Sequence, residues 1–514
     1  MKIQLIHPPV YVNPKALTSL RPAPPLGLAY IAGALQRAGH EVDVIDSLTE
    51  APDQVAPEGR VVRLGLSPEQ IADRIAPETE AIGLTNMWSF SWPIVRKLIH
   101  ILKERRPDLP LVCGGEHFSG LPEFSMRAAP IDYVVRGEGE DTAVEIFGAL
   151  ERKLRDGVEF DPATIAGLCW REGEEIKVGD GRKRIRAVDE IARPAWNLFD
   201  LDTYNSSGMK LGIDYGYMVP MLATRGCPYA CTYCSSPRMW SRNWFARSPE
   251  LVADEIEHYV KTYGADNFPF QDLTAILKKQ WIIDFCREII RRKLDIRWQL
   301  PSGTRCETVD DEVAPLLHES GCRTLCYAPE SGSAETRQQV KKMMKAESLF
   351  NAVDAAVKQK INLTCFIVLG FPHDRARNIR ENFRFVRKLA LKGVEDVACG
   401  FFFPIPATEL YDELMALGRI SLEDTALMAP IFVHDRFLSK DRNYSLHLPA
   451  WKLTMYRYLV LLNFYSFYFL THPGRIWRLA RNLWRGREES KLDSFLKIRL
   501  ENWRRKRRAT ASSA

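Results

Sequence analysis

The chain has 514 residues, enough for two or three domains, and its 46% hydrophobic, 26% charged composition is ordinary for a globular protein in water. The net charge of +6 is uneven: Arg475 to Arg508 holds 13 Lys/Arg against 4 Asp/Glu, so the basic character belongs to the tail. Eleven scattered cysteines, an odd number, exclude a disulfide framework, and no apolar run reaches the ~18 residues of a membrane span. The opening MKIQLIHPP has no long apolar core and no cleavage site, so no signal peptide is expected, and a cytoplasmic location fits the free cysteines.

Residues 1–150 alternate short apolar runs with longer helical patterns. KIQLIH (2–7), EVDVID (41–46), EAIGLT (80–85), LPLVCGG (109–115) and DYVVRG (132–137) read as strands. Alternation at ~30-residue intervals predicts an α/β, doubly wound parallel sheet, with ligands beyond the carboxyl ends of the strands. Residues 151–214 are polar, contain a Gly-Asp-Gly turn signal, and read as a linker with a small hairpin. A second alternating series fills 215–415, with strands predicted at 217–225, 267–272, 296–303, 324–331, 362–370 and 396–404. Six strand–helix units predict a partial barrel with its chemistry at the C-terminal strand ends. Residues 416–514 show no strand pattern and read as mostly helical.

RGCPYACTYCSSP (225–237) follows the first strand of the second series and crowds Cys227, Cys231 and Cys234 into eight residues. Thiolates ligate zinc and iron–sulfur clusters. Structural zinc wants a fourth ligand, and no second pair follows at a suitable distance. Three close thiols suit a cubane cluster with one iron left open. Three unrelated buried cysteines are the bland alternative.

The Cys-x3-Cys-x2-Cys spacing, with Tyr233 before the last cysteine, resembles the signature of the radical S-adenosylmethionine (radical SAM, AdoMet) superfamily. The resemblance extends over 215–415, through FPFQDLT, YAPESGS, FIVLGFPHD and FFFPIPATELYDEL, although Ala407 stands where many relatives have Gly. It implies a 4Fe–4S cluster on the three cysteines, AdoMet chelated at the open iron, and reductive cleavage to a 5′-deoxyadenosyl radical. It further implies AdoMet contacts at Tyr233, Asp272, Ser302, Glu330, Ser331 and Gly370. A carboxylate at a strand end such as Asp272 could equally cap the following helix. An electron donor, a reductase or a flavodoxin or ferredoxin, is implied as a partner.

Residues 1–150 are similar to the cobalamin-binding domain that precedes the barrel in one large subgroup, through HPP, PPLGLAYIAGAL, GGEHFSG and VVRGEGE. Cobalamin contacts are thereby implied at Pro9, Thr85, Gly114, Gly115, His117, Gly137, Glu138 and Gly139. Gly114 and Gly115 would let a corrin ring or its nucleotide tail approach the backbone. The Asp-x-His-x-x-Gly motif that supplies an axial histidine elsewhere is missing. His117 lies in GEHFSG without the Asp, so the resemblance implies cobalamin held base-off without a protein histidine. A Rossmann-like scaffold that binds nothing is the alternative.

In the tail, Arg475, Arg478, Arg481 and Arg485 recur at three- and four-residue steps, with Trp477 and Trp484 on a face of their own. An interfacial amphipathic helix at a membrane surface and a helical cap on the barrel both fit. Nucleic acid is not an expected partner, since the basic run 504–508 is short. Only Cys113 precedes residue 150, so a methylthiotransferase with a second cluster is not expected. These readings converge on a cobalamin-dependent radical SAM C-methyltransferase acting on a hydrophobic, membrane-derived small molecule. The alternatives are an oxidative cyclase or rearrangement enzyme of the same architecture and, outside catalysis, an iron–sulfur or cobalamin sensor.

Overall fold

The computed structural model describes residues 1–18 and 21–500; the basic run 504–508 lies outside them. The first series forms one sheet. Its parallel strands are Glu41–Asp46, Lys2–His7, Ala81–Thr85, Leu111–Gly114 and Tyr133–Val135, in that spatial order. The order reverses direction between Lys2–His7 and Ala81–Thr85, which sets the crevice of a doubly wound sheet beyond their carboxyl ends. Buried runs such as Ile3, Leu5 and Ile6 allow helices on both faces.

The hairpin predicted inside 151–214 is not a separate feature. Leu168–Glu172 and Glu175–Val178 add two antiparallel strands to the same sheet, with Val134 opposite Cys169. They cover the otherwise unpaired edge of the short strand Tyr133–Val135. An antiparallel sheet of Val10–Val12, Val55–Glu58 and Val61–Leu64 sits beside the first strand and has no counterpart in the sequence reading.

The second series forms five parallel strands: Asn267–Pro269, Arg297–Thr304, Cys322–Glu330, Asn362–Leu369 and Asp396–Phe401. The strand predicted at 217–225 survives only as two bridges, Met218 to Asn267 and Met221 to Phe270. Pro220 lies between them and has no N–H to give a ladder. The chain then turns away, and Thr224–Gly226 pairs antiparallel with Trp244–Ala246.

At the C-terminus, helix Ala450–Thr471 packs on helix Ala376–Lys392 and strand Asp396–Phe401, and helix Gly474–Arg485 follows. The arginines do not share a solvent face. Arg475 and Arg478 both turn inward onto the buried Glu395. Burial alone would raise that carboxyl, but the Arg478 and Arg475 charges outweigh it and hold it below the usual range. No helix is long and apolar enough to cross a membrane among the described residues.

Candidate functional site

The cysteine loop begins at Gly226, whose φ of +86° and contact with the Asn243 carbonyl leave no place for a Cβ. Cys227, Cys231 and Cys234 are the three partly exposed cysteines; the other eight are buried. Burial raises the Cys231 thiol and pushes Cys234 up to about 12, so iron binding must displace protons there. Thr274 Oγ1 donates to Cys227 Sγ at 3.5 Å. No three His, Cys, Asp or Glu donors among the described residues converge on one metal ion. A 4Fe–4S cluster would take each of the three thiolates on an iron of its own.

Above this loop, the Tyr233 hydroxyl donates to Glu330 Oε1 at 2.9 Å, and Lys342 Nζ lies 3.3 Å from the same oxygen. Glu330 ends its strand at a left-handed φ of +63°, a conformation that costs a non-glycine residue energy and is concentrated at working sites. Ser302 lies exposed at the next strand end, beside Gly303. Gly370 has φ +84° and packs against Leu453. Two other residues face inward. Ser331 Oγ accepts from the Ser333 N–H at 3.1 Å. Asp272 accepts from the Ala223 N–H (3.2 Å), the Thr224 N–H (2.5 Å) and the Thr224 hydroxyl (2.6 Å). Burial lifts its carboxyl to about 6 against these hydrogen bonds. Asp272 thus braces the strand that launches the cysteine loop. Ala407 adopts φ +59°, so Ala407→Gly is expected to raise stability by about 1 kcal/mol in thermal or denaturant unfolding.

In the first sheet, Thr85 pairs with Gly114 at the strand ends, and the buried Pro9 closes the neighbouring end. Asn86 Nδ2 is buried there without a hydrogen-bond partner, and Met87 and Trp88 beside it are half exposed. An orphaned amide and unpacked apolar side chains at a switch-point crevice fit a large, partly apolar cofactor.

Five of the residues implied for cobalamin, Gly115, His117, Gly137, Glu138 and Gly139, are engaged within the protein itself. Gly115 (φ +108°) is required by the Asn86 backbone against which a Cβ would press, while a Cβ on Gly114 would meet only ordinary contacts. A Cβ on Gly139 would press on the movable tip of Ile31, and Gly137 (φ +75°) takes a Ser119 hydrogen bond on its N–H. His117 is buried, stacked on Trp92, with Nε2 at 3.2 Å from Ser125 Oγ and Nδ1 at 3.0 Å from Ser89 Oγ. Ser125 gives its own proton to the Leu121 carbonyl, so Nε2 carries the imidazole proton and Nδ1 accepts. Neither nitrogen is left for cobalt. Burial pushes this imidazole down to about 3. A depressed histidine stabilises the fold above its unfolded pKa and loses that stability as pH falls through 6.5 toward 3. At pH 5 the loss is about 2 kcal/mol. Urea unfolding at pH 8 and pH 5 should therefore show a shallower pH dependence for His117→Phe than for the parent chain.

Glu138 is buried too, and it serves as a clamp. It accepts from Arg184 Nη2 (3.0 Å) and the Ile185 N–H (2.8 Å), and Arg225 Nη1 lies 3.4 Å away. Arg225 Nη2 reaches Glu140 at 2.5 Å, and its guanidinium covers the Tyr30 ring. Burial would raise Glu140, but Arg225 holds it low. Ser235, next to Cys234, donates to Glu116 Oε1 at 2.6 Å, and Gly120 packs against Met239, Ala407 and Pro406. The C-terminal strand ends of the two sheets therefore face each other across the cysteine loop. Arg184, Arg225 and Ser235 escaped the sequence reading as site residues; for Arg225 and Ser235 the sequence signal was their place in the cysteine stretch itself.

Residues 16–147 match the family described as B12 binding domain, and residues 221–386 match the radical SAM superfamily. An uncharacterized methyltransferase of Pyrococcus horikoshii is 30% identical over 418 residues, covering 81% of this chain and 83% of that protein. The chain belongs to the cobalamin-dependent radical SAM enzymes. Cobalamin, a 4Fe–4S cluster and AdoMet are the cofactors of this family. The family also contains a cyclase similar to this chain, the anaerobic magnesium-protoporphyrin IX monomethyl ester cyclase of Synechocystis sp., 26% identical over 93% of this chain and 87% of its own length. The radical SAM methyltransferase TsrM from Kitasatospora setae, solved with tryptophan substrate and a SAM analog, shares the fold of this radical SAM enzyme. Its TM-score is 0.63 at 19% identity, over 81% of this chain and 76% of that one.

Proposed function

We propose that this enzyme is a C-methyltransferase acting on an unactivated carbon of an apolar, membrane-derived small molecule. The observation that carries the reading is the apposition of the two sheets' C-terminal ends across the cysteine loop. When bound, the cluster with AdoMet supplies one-electron chemistry and cobalamin a transferable methyl group. The chain's own residues hold and align these groups. Cys227, Cys231 and Cys234 would ligate the cluster. The Tyr233–Glu330–Lys342 set, with Ser302 and Gly370, would orient AdoMet, and the carboxylate of Glu330 keeps lone pairs for its polar groups. Asp272 and Ser331 support these positions from behind. Thr85, Asn86 and Gly114 would meet cobalamin. Electrons would come from a flavodoxin, ferredoxin or reductase, in the cytoplasm.

The test is anaerobic reconstitution with a methyl-deuterated AdoMet and a strong reductant. A labelled methylated product with both 5′-deoxyadenosine and S-adenosylhomocysteine supports the reading. Oxidised product with 5′-deoxyadenosine alone favours the second reading, a cyclase, for which the Synechocystis relative speaks. If no 5′-deoxyadenosine forms at all, the enzyme reading fails and a sensor remains.

A further inference from the structure

Helix Ala450–Thr471 is apolar on both faces. Leu453, Val460, Phe464 and Tyr468 are buried against the barrel. The opposite side exposes Trp451 (67%), Leu459, Leu462 (64%) and Leu470 (76%), with Ser466 as its polar interruption. A helix that is hydrophobic all round calls for an apolar medium on its second face. Helix Gly474–Arg485 continues the surface, with Trp477 80% and Trp484 84% exposed. Exposed apolar patches of this extent mark interaction sites.

The charge on this surface has one sign. From Ala450 to Arg487 the sequence contains no Asp or Glu. Arg481 shares the exposed side with Trp477 and Trp484 and reaches Glu489 at 3.9 Å, while Arg485 and Arg487 pair with no carboxylate among the described residues. An isologous contact with a second copy would set arginine against arginine, the nearby carboxylate Glu489 being already engaged by Arg478 and Arg481. An anionic lipid surface offers what the patch lacks: an apolar layer for tryptophan and leucine beneath a negatively charged plane for arginine.

We propose that these two helices form a docking face for an anionic lipid membrane, held parallel to the bilayer and not spanning it. The inference deepens the reading of a membrane-derived substrate and rests on it for its purpose, although the binding itself does not depend on catalysis. Leu453, on the buried side of the long helix, packs against Gly370 just past the C-terminal end of barrel strand Asn362–Leu369. The Trp451 end of the docking face therefore lies nearest the mouth of the site. An apolar substrate could pass from the lipid to the strand ends over a short path.

The experiment is co-sedimentation of the full reconstituted chain with phosphatidylcholine vesicles, with and without phosphatidylglycerol, at low and high salt. Binding should require the anionic lipid and weaken with salt. Arg485→Gln/Arg487→Gln should lower partitioning about thirtyfold at low salt, and Trp477→Ser/Trp484→Ser about tenfold or more. Cleavage of AdoMet should be unchanged in both variants, which separates a lost surface from a lost fold. Equal pelleting of the variants and the parent chain would overturn the proposal. So would absence of binding to anionic vesicles, or a dimer that the tryptophan variant dissociates while vesicles bind neither form. A failure of methyl transfer in the labelled-AdoMet assay would leave the pelleting result unchanged, so the two readings fail separately.

Discussion

Cys231→Ala protein, reconstituted anaerobically and reduced in the presence of AdoMet, should form no 5′-deoxyadenosine above background. The same holds for Cys227→Ala and Cys234→Ala. Each thiolate is expected to hold one iron, and the loop offers no substitute donor: Thr274 is a hydroxyl, and the remaining cysteines are buried elsewhere in the fold. The loss should be specific to the cluster. The three side chains are only partly buried, and their removal opens little space in the packed core, so thermal unfolding of the apo protein should move by less than about 1 kcal/mol in stability. Iron content and the visible absorbance of the reconstituted sample provide the check. A variant that still binds four irons and cleaves AdoMet would refute the assignment of that cysteine.

The second large effect is expected at Arg225. Its side chain is 13% exposed and Glu140 beside it 8%, so Arg225→Ala leaves a buried carboxylate without its counter-charge. Breaking such a pair costs about 3–5 kcal/mol. Glu138 suffers less, because Arg184 and the Ile185 N–H remain. Since Glu140 opens the last helix of the first sheet and Arg225 leads into the cysteine loop, the damage falls on the alignment of the two sheets. Product formation should therefore drop further than AdoMet cleavage, which depends on the loop alone. Replacing both partners, Glu140→Gln with Arg225→Met, should recover most of the stability, because no unpaired charge is left in the interface. If the single variant is as stable as the parent chain, the clamp is not what joins the domains.

These two cases mark how much of the site could be seen in the sequence. The three thiols are legible because a cluster loop is local: its ligands fall within eight residues, and their spacing carries the chemistry. The parallel strands are legible for a similar reason, since burial on both faces writes continuous apolar runs such as KIQLIH. The clamp is not local. Glu138 and Arg225 are 87 residues apart, and a carboxylate in a Gly-Glu-Gly turn looks the same whether it meets a cofactor or an arginine. His117 shows the same gap, because its two serine partners come from an upstream turn and a downstream helix. The Gly-Asp-Gly signal predicts a hairpin in this region, but the strands that form turn earlier, at Gly173-Glu174, and their place at the sheet edge depends on backbone pairing that composition does not record. Pro220, by contrast, was readable. Its missing N–H should have weakened the strand predicted across it.

Eight of the eleven cysteines are buried, and for Cys113, Cys286, Cys322, Cys365 and Cys399 burial raises the thiol. A thiol that stays protonated and shielded does not react with an alkylating agent. Treating the native apo chain with iodoacetamide should thus spare those eight and add mass at Cys227, and more slowly at Cys231 and Cys234, whose thiols burial also raises; cluster assembly should bring that number toward zero. The mass spectrum of one intact protein becomes a direct gauge of cluster occupancy, without any need for a substrate.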